Sequence, residues 1–377
     1  MSTPYFDCNA TTPVEPEVFK KIHFYLAEAY GNSGSRTHQW GTKAKQAVEL
    51  AREKIAELAG TQKEGVLFTS GATESNNLAI LGLRDFGEQN SRRHIISTAI
   101  EHKAVLEPLE HLSGCGWDIT LLPSDETGTV QADSIESALR PETVLVSVMH
   151  ANNETGIIQP IEEIAEALKN HEAYFHVDAA QTFGKLIEPL HNPRIDMLSA
   201  SAHKVYGPKG IGTLITRRRR FKKPPLQPLM YGGGQERGLR PGTLPVPLIA
   251  GFGKAAALAA QCHESRREQC EKIREKVLFL AKSIGGQVNG SLEHCLPHVL
   301  NFSIPGVNSE AAMVALKGII AVSNGSACTS STYEPSHVLK AMGLDDDRIA
   351  GALRFSWCHM TEEPDWEEVE TALRGLQ

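Results

Sequence analysis

The chain has no stretch approaching the roughly 18 apolar residues that a membrane-spanning helix requires, so a helical membrane protein is excluded. Its start, Met1 to Asp7, has neither a basic patch nor an apolar segment. No signal peptide is therefore expected, and the expected location is the cytoplasm. A basic excess is missing too: 38 Lys and Arg against 45 Asp and Glu leave a net charge of −7. That balance favours solubility and offers no footprint for direct nucleic-acid binding. No Cys-x-x-Cys occurs among Cys8, Cys115, Cys262, Cys270, Cys295, Cys328 and Cys358. Their odd number and wide spacing argue for reduced thiols, most of them small buried hydrophobes, and against a zinc site. Repeats and low-complexity linkers are absent. What remains, at 377 residues with 41% hydrophobic and 22% charged, is an ordinary globular chain long enough for about two domains.

Apolar, β-rich runs alternate with helical patterns through the first half. Strands are expected at Val66–Ser70, His94–Ala99, Trp117–Leu122, Thr143–His150 and Tyr174–Ala179. Helices are expected at Thr73–Phe86, Lys103–Leu112 and Ile161–Asn170. This alternation predicts an α/β fold with a mainly parallel sheet between helices. Arg217–Lys223 holds six basic residues and is followed by Pro224, Pro225 and Pro228. A solvated loop is the expectation there, with a partner-docking patch as the alternative. Beyond it, Ile249–Gln261 runs as a helix into His263–Lys282. Strands at Val299–Ile304 and Ala352–Trp357, with helices at Ser309–Lys317 and Pro335–Met342, suggest a smaller α+β domain.

In open α/β sheets ligands bind beyond the carboxyl ends of the strands, so polar residues there are the informative ones. Ser70-Gly71-Ala72-Thr73-Glu74 leads from a strand into a helix, where orphan N–H groups suit a phosphate, or where Thr73 or Ser70 simply caps the helix. Glu101-His102-Lys103 puts a His at a strand end, as an acid–base group, a stacking platform or a structural residue. Asn152-Asn153-Glu154-Thr155-Gly156 is either turn chemistry or a holder for a polar ring substituent. Asp178 ends an apolar strand and needs a partner, since an unpaired buried charge is costly. Lys204, between His203 and a Gly/Pro-rich turn, is suited to a Schiff base with a carbonyl. A lysine, an acidic partner for a pyridine nitrogen and a phosphate cup together point to pyridoxal phosphate. Cys328, in Ser323-Asn324-Gly325-Ser326-Ala327-Cys328-Thr329, reads either as a thiol able to reach a substrate or as an incidental surface cysteine.

These motifs, SGATESNN, EHKAV, NNETG, HVDAAQ, SAHKVYGPKG, GGGQERGLRPGT and SNGSACTSS, resemble those of the cysteine desulfurases. Those enzymes are pyridoxal-phosphate enzymes of the class V aminotransferase group, and the last motif resembles the group I branch, the iron–sulfur-cluster and nitrogen-fixation type. The resemblance runs almost end to end, from Asn9 to Ser356. It implies the fold-type I architecture of pyridoxal-phosphate-dependent transferases. A large cofactor-binding domain is expected at 15–250, and a small one at 1–14 and 251–377 carrying the Cys328 loop. It implies Lys204 as the Schiff-base lysine, Asp178 as partner of the pyridinium nitrogen and His102 stacked on the ring. Gln181 and Asn153 would hold the ring hydroxyl side. Thr73, Ser201 and His203 would bind the phosphate, with Thr243 contributed by the second subunit of a homodimer, and Ala72 would also contact the cofactor. Arg354 would bind the substrate carboxylate, with Asn32 and Asn153 near the substrate. No metal is implied.

The implied reaction takes sulfur from L-cysteine, releases L-alanine and leaves a persulfide on Cys328 for a sulfur-acceptor protein. That acceptor would serve iron–sulfur assembly or tRNA or DNA sulfur modification. The competing readings are a selenocysteine lyase, an aminotransferase or a desulfinase on the same fold, or a non-catalytic sulfur-relay scaffold. After Ser356 one helical stretch, Pro364–Leu376, precedes Gln377. Housekeeping members of the resembled branch carry a longer tail, so the expectation is intact chemistry with weak or different scaffold docking.

Overall fold

The computed structural model describes residues 3–325 and 335–377. Seven strands form the main sheet: β1 Val66–Thr69, β2 His94–Thr98, β3 Asp118–Leu122, β4 Thr143–Met149, β5 Tyr174–Asp178, β6 Met197–Ser201 and β7 Gly212–Thr216. Their order is β1-β7-β6-β5-β4-β2-β3. Neighbours from β6 to β3 are parallel, and β7 runs antiparallel to both β6 and β1. The segments after β1, β2, β4, β5 and β6 therefore all emerge at one edge.

Side chains alternate across each strand. Phe68, Val146, Val148, Phe175, Val177 and Leu198 face one apolar core. Leu67, Ile95, Leu145 and Met197 face the other. Helices α1 Pro16–His23 and α2 Gln39–Leu58 lie on the first side. On the second lie α3 Ala72–Leu81 and α5 Lys103–Gly114, with the short α4 Arg84–Gln89 between them in sequence. Two further short helices, α6 Ala132–Ala138 and α7 Ile161–Ala167, follow. The expected single helix over Thr73–Phe86 breaks at Gly82, the C-cap of α3, whose carbonyl accepts from Gln227 N at 2.8 Å.

Helix α8, Val246–Ser283, is 38 residues long. Its first turns bury Ile249, Phe252 and Ala256 in the main core. Its last turns bury Ile273, Val277 and Leu280 in a second core with Phe6, Phe302, Phe355 and Trp357. That second core sits on a small antiparallel sheet of β8 Gln287–Val288, β9 Val299–Ser303 and β10 Ala352–Ser356, in the order β10-β9-β8. At Gly253 a β-carbon would stand 2.4 Å from Ala51 Cα, so glycine is what lets α8 lie this close to α2. Among the described residues no helix is long and apolar enough to cross a membrane.

The basic stretch departs from the expected solvated loop at two of its six basic residues, Arg217 and Arg219. Arg217 is buried and donates to the carbonyls of Ala59 and Leu190 at 2.6 Å and of Asn192 and Ile195 at 3.2 Å. Burial pulls its guanidinium down to about 10. Arg219 donates to the carbonyl of Glu172 at 2.9 Å and stacks over Tyr174. Arg218, Arg220, Lys222 and Lys223 stand in solvent with Phe221, which is 92% exposed. Two of the arginines are thus structural, their forked donors satisfying carbonyls that end strands and turns.

Candidate active site

A cavity of about 470 Å³ opens at the sheet edge where the strand-end motifs emerge. Ala72, Thr73, His102 and Asn153 line it, as do Asp178, Gln181, Ser201, His203, Lys204 and Arg354. Ten of the twelve expected site residues with described positions are thus brought together. Asn32 and Thr243 are not among the lining residues: Asn32 is exposed and accepts from Gly34 N at 2.8 Å in a local turn, and Thr243 is exposed. Cys328 lies outside the described residues.

At one end of the cavity, α3 begins with Gly71 as N-cap and no side-chain cap. Its first N–H groups and the positive end of the helix dipole are thus available to an anion. Strand β7 passes so close that a β-carbon on Gly212 would lie 2.5 Å from Gly71 Cα, which requires glycine there. Ser201 closes β6 beside this turn, and His203 Nδ1 sits 3.2 Å from Thr11 Oγ1. Burial, helped by Lys204, Lys209 and Lys185, brings His203 down to about 4, so near neutral pH it is an uncharged hydrogen-bonding group. The helix start is held from outside. Glu74 accepts from Ser70 N at 2.7 Å and from Arg240 Nε at 3.0 Å. Burial opposes ionisation of Glu74, but these hydrogen bonds outweigh it and lower its pKa.

Deeper in, Asp178 Oδ2 accepts from Asn76 Nδ2 at 2.7 Å and Oδ1 from Ala180 N at 2.9 Å. Beneath it a ladder of polar side chains crosses the parallel strands, with His176 Nδ1 2.8 Å from Ser147 Oγ and His176 Nε2 2.9 Å from Ser199 Oγ. Burial drops His176 to about 4, so it is neutral.

Lys204 ends a 3-10 turn, Ala202–Lys204, and its Nζ donates to the carbonyl of Asn9. Tyr206, two residues on, has φ of 63°, a left-handed conformation costly for a bulky residue. Thr12 holds it there, its Oγ1 accepting from Tyr206 N at 3.0 Å and donating to His203 O at 3.0 Å. The lysine turn is therefore fixed from outside its own segment.

His102 caps α5, its Nδ1 accepting from Ala104 N at 3.0 Å, so the neutral ring carries its proton on Nε2. Burial lowers its pKa against the attraction of Asp178. Its neighbour Glu101 is fully buried, accepting from Thr98 Oγ1 and Met149 N, both at 2.8 Å, and burial raises its carboxyl to about 8. The folded protein thus holds a proton that the unfolded chain releases near 4.5. This contribution to stability is full below that value and lost as pH rises toward 8. A Glu101→Gln variant, isosteric with the neutral acid, is expected to gain about 2 °C or more in Tm over the parent between pH 5 and pH 8.5. A Tm difference that stays constant with pH rules the buried acid out.

Arg354, 2% exposed, comes from β10. Its Nη2 donates to Asp7 Oδ1 at 2.6 Å and its Nη1 to Asn153 O at 3.0 Å, while its Nε has no partner among the described residues. The segment Asp7–Asn9 carries no expected role, yet it ties the site together. Asp7 orients Arg354, Asn9 O accepts from Lys204 and from Gln181 Nε2, and Asn9 Nδ2 donates to Asn153 O at 3.0 Å. Its only signal in the sequence is the Asn9-Ala10-Thr11-Thr12-Pro13 motif. Ser70, Asn76 and Lys209 also line the cavity, without an assigned role in the site.

The fit to pyridoxal phosphate can be judged on these atoms. Gln181 Oε1, Asn9 Oδ1 and Asn76 Oδ1 are buried at the cavity without partners among the described residues, a state that native sites tolerate when a ligand supplies them. A phosphate cradle, a buried carboxylate and an amine stand around one volume large enough for the cofactor, and the residues fit.

The class V aminotransferase family matches residues 4–369. The chain is 43% identical over 372 residues to the cysteine desulfurase IscS of Photorhabdus laumondii, covering 98% of this chain and 90% of that one. The crystal structure of DndA from Streptomyces lividans superposes with a TM-score of 0.83 at 48% identity, covering 93% of this chain and 98% of that chain. The structure of SspA in complex with cysteine superposes with a TM-score of 0.82 at 38% identity, covering 94% and 98%.

Proposed function

The chain belongs to the class V aminotransferase family and is a pyridoxal-phosphate-dependent cysteine desulfurase, and on that premise we propose how its residues divide the work. The observation that carries the reading is the meeting of Lys204, Asp178 and Arg354 on one cavity.

The N–H groups opening α3, with Ala72, Thr73, Ser201 and His203, bind the cofactor phosphate. Gln181 and Asn153 hold the ring hydroxyl side, and His102 lies against the ring with its proton on Nε2. When bound, pyridoxal phosphate supplies an electron sink for the bond changes at the substrate Cα. Asp178 keeps a proton on the ring nitrogen, because a carboxylate stabilises the adjacent cation. Arg354 binds the carboxylate of L-cysteine, with Nε and the outward Nη protons supplying a forked pair of donors and Asp7 and Asn153 holding the guanidinium still. Lys204 moves the proton at Cα.

Cys328 takes the sulfur as a thiolate. The substrate C–S bond breaks, a bond between Cys328 Sγ and that sulfur forms, and L-alanine leaves. A protein acceptor of persulfide sulfur completes the cycle. We place Thr243 of a second copy at the phosphate, in a homodimer. The support is that Thr243 is exposed and does not line the cavity of its own chain. The division into a large domain at 15–250 and a small one at 1–14 and 251–377 is supported by the two separate cores, although the boundary falls within α8.

The test is a stoichiometry. With L-cysteine and a reductant, the purified holoenzyme should release alanine and sulfide in equal amounts. Formation of a 2-oxo acid in place of alanine would show transamination instead. Asp178→Asn should lower turnover roughly 10²-fold, the scale of one lost electrostatic partner at a centre of developing charge, while cofactor affinity falls less. Unchanged turnover means that Asp178 does not act on the ring nitrogen.

A further inference from the structure

Between Asp7, which pairs with Arg354, and Asn9, which accepts from Lys204, stands Cys8. It packs away from the cavity, 1% exposed, against Cys358 and Tyr206. Thr361 Oγ1 lies 3.8 Å from Cys8 Sγ and 3.5 Å from Cys358 Sγ. The two segments are also held together at Ser356: Cys8 N donates to Ser356 O, and Asn9 N to Ser356 Oγ, both at 2.9 Å.

Two bases stand beside this pair. Lys185 is buried, its Nζ 3.1 Å from His298 Nε2, and its field acts on both thiols. Burial pushes Lys185 and His298 toward their neutral forms. The neighbouring Cys8 lowers the Cys358 thiol, and Cys358 together with burial raises Cys8. Cysteines that only fill space have no use for a neighbouring amine, whereas a thiol that must lose a proton does. A cavity of about 110 Å³ is lined by Lys185, Tyr206 and His298, and by Cys270 and Cys295.

We propose that Cys8 and Cys358 form an oxidative modification site, a dithiol that a hydroperoxide closes to a disulfide, fixing the Asp7–Asn9 segment and weakening the hold of the active site on substrate. Cys358, its proton passed to Lys185, attacks the peroxide and becomes a sulfenic acid as the O–O bond breaks. Cys8 attacks that sulfur and water leaves. Two thiols lose two protons and two electrons, and one peroxide becomes two waters. The cross-link stands independently of the roles proposed for Arg354 and Lys204, while its effect on substrate rests on them.

The experiment uses Cys328→Ala holoenzyme, with the proposed sulfur carrier removed, treated with hydrogen peroxide. The expected result is a mass loss of about 2 Da and a linked peptide pair joining Cys8 to Cys358. Dithiothreitol should reverse both. The same treatment should raise the L-cysteine concentration at the midpoint of an absorbance titration about fivefold. Adding Cys8→Ala or Cys358→Ala should each abolish the mass loss, and its persistence in either overturns the assignment. Oxidation of exposed Cys115 while Cys8 and Cys358 stay reduced also overturns it. A cross-link that leaves the midpoint unchanged refutes the coupling to substrate. If Arg354→Met leaves that midpoint unchanged too, the carboxylate reading has failed rather than the dithiol.

Discussion

Replacing Lys204 by alanine abolishes desulfuration, with turnover falling at least about 10³-fold, and removes the visible absorbance of the bound cofactor. Both effects come from one position because the amine has two tasks, holding the cofactor and moving the proton at Cα. The structure gives a reason to expect a clean result. The lysine turn is pinned by Thr12 on both sides and by the strained Tyr206, none of which depends on the lysine side chain. The variant should therefore fold, and its circular dichroism should match the parent. Its Nζ also donates to Asn9 O, so alanine leaves that carbonyl one donor short while Gln181 Nε2 still reaches it at 3.1 Å. Visible absorbance and turnover surviving together in this variant would reject both the cofactor site and the proposed roles around it.

Much of this site is legible in the amino-acid sequence alone. Its parts follow strands in sequence, and a parallel sheet delivers all such segments to one edge. Ser70–Thr73, His102, Asn153, Asp178 and Lys204 each sit within a few residues of an apolar run, so local pattern is enough. Arg354 and its partner Asp7 are 347 positions apart, and only tertiary pairing of β10 with the N-terminal segment brings them together. No local signal encodes that. Helix α2 escapes a pattern reading for a different reason. Its buried face is Ala44, Ala47, Val48, Ala51, Ile55 and Leu58, where small alanines give a weak apolar stripe. Yet those alanines are what permit the close approach of α8. The basic run misleads at Arg217 and Arg219 because charge reads as exposure, while an arginine fork inside a cage of carbonyls is stable when buried.

Cys328→Ser should keep the cofactor absorbance and still bind L-cysteine, yet lose alanine and sulfide production roughly 10³-fold or more, as when a covalent nucleophile is removed. A serine hydroxyl does not ionise near neutral pH and cannot accept sulfur as a thiolate does. Cys328 itself lies outside the described residues, and the residues that flank it carry the expectation. On the near side, Arg354 N donates to Ser323 O at 2.6 Å, which ties that end to the proposed carboxylate arginine. On the far side, Ser336 Oγ donates to the buried Glu154 Oε2 at 2.5 Å, and His337 Nε2 lies 2.9 Å from Glu101 O. Glu154 follows Asn153, and Glu101 precedes His102. Both ends of the Cys328 segment are thus fastened beside residues that line the cavity. The six remaining cysteines are described, and none of them lines it. Cys8 and Cys358, the natural substitutes by chemistry, are buried and paired with each other. No second thiol among the described residues is therefore in place to receive the sulfur, so the loss should be nearly complete rather than partial. Parent-level alanine release by Cys328→Ser would mean that the sulfur leaves by a route that needs no cysteine at this position.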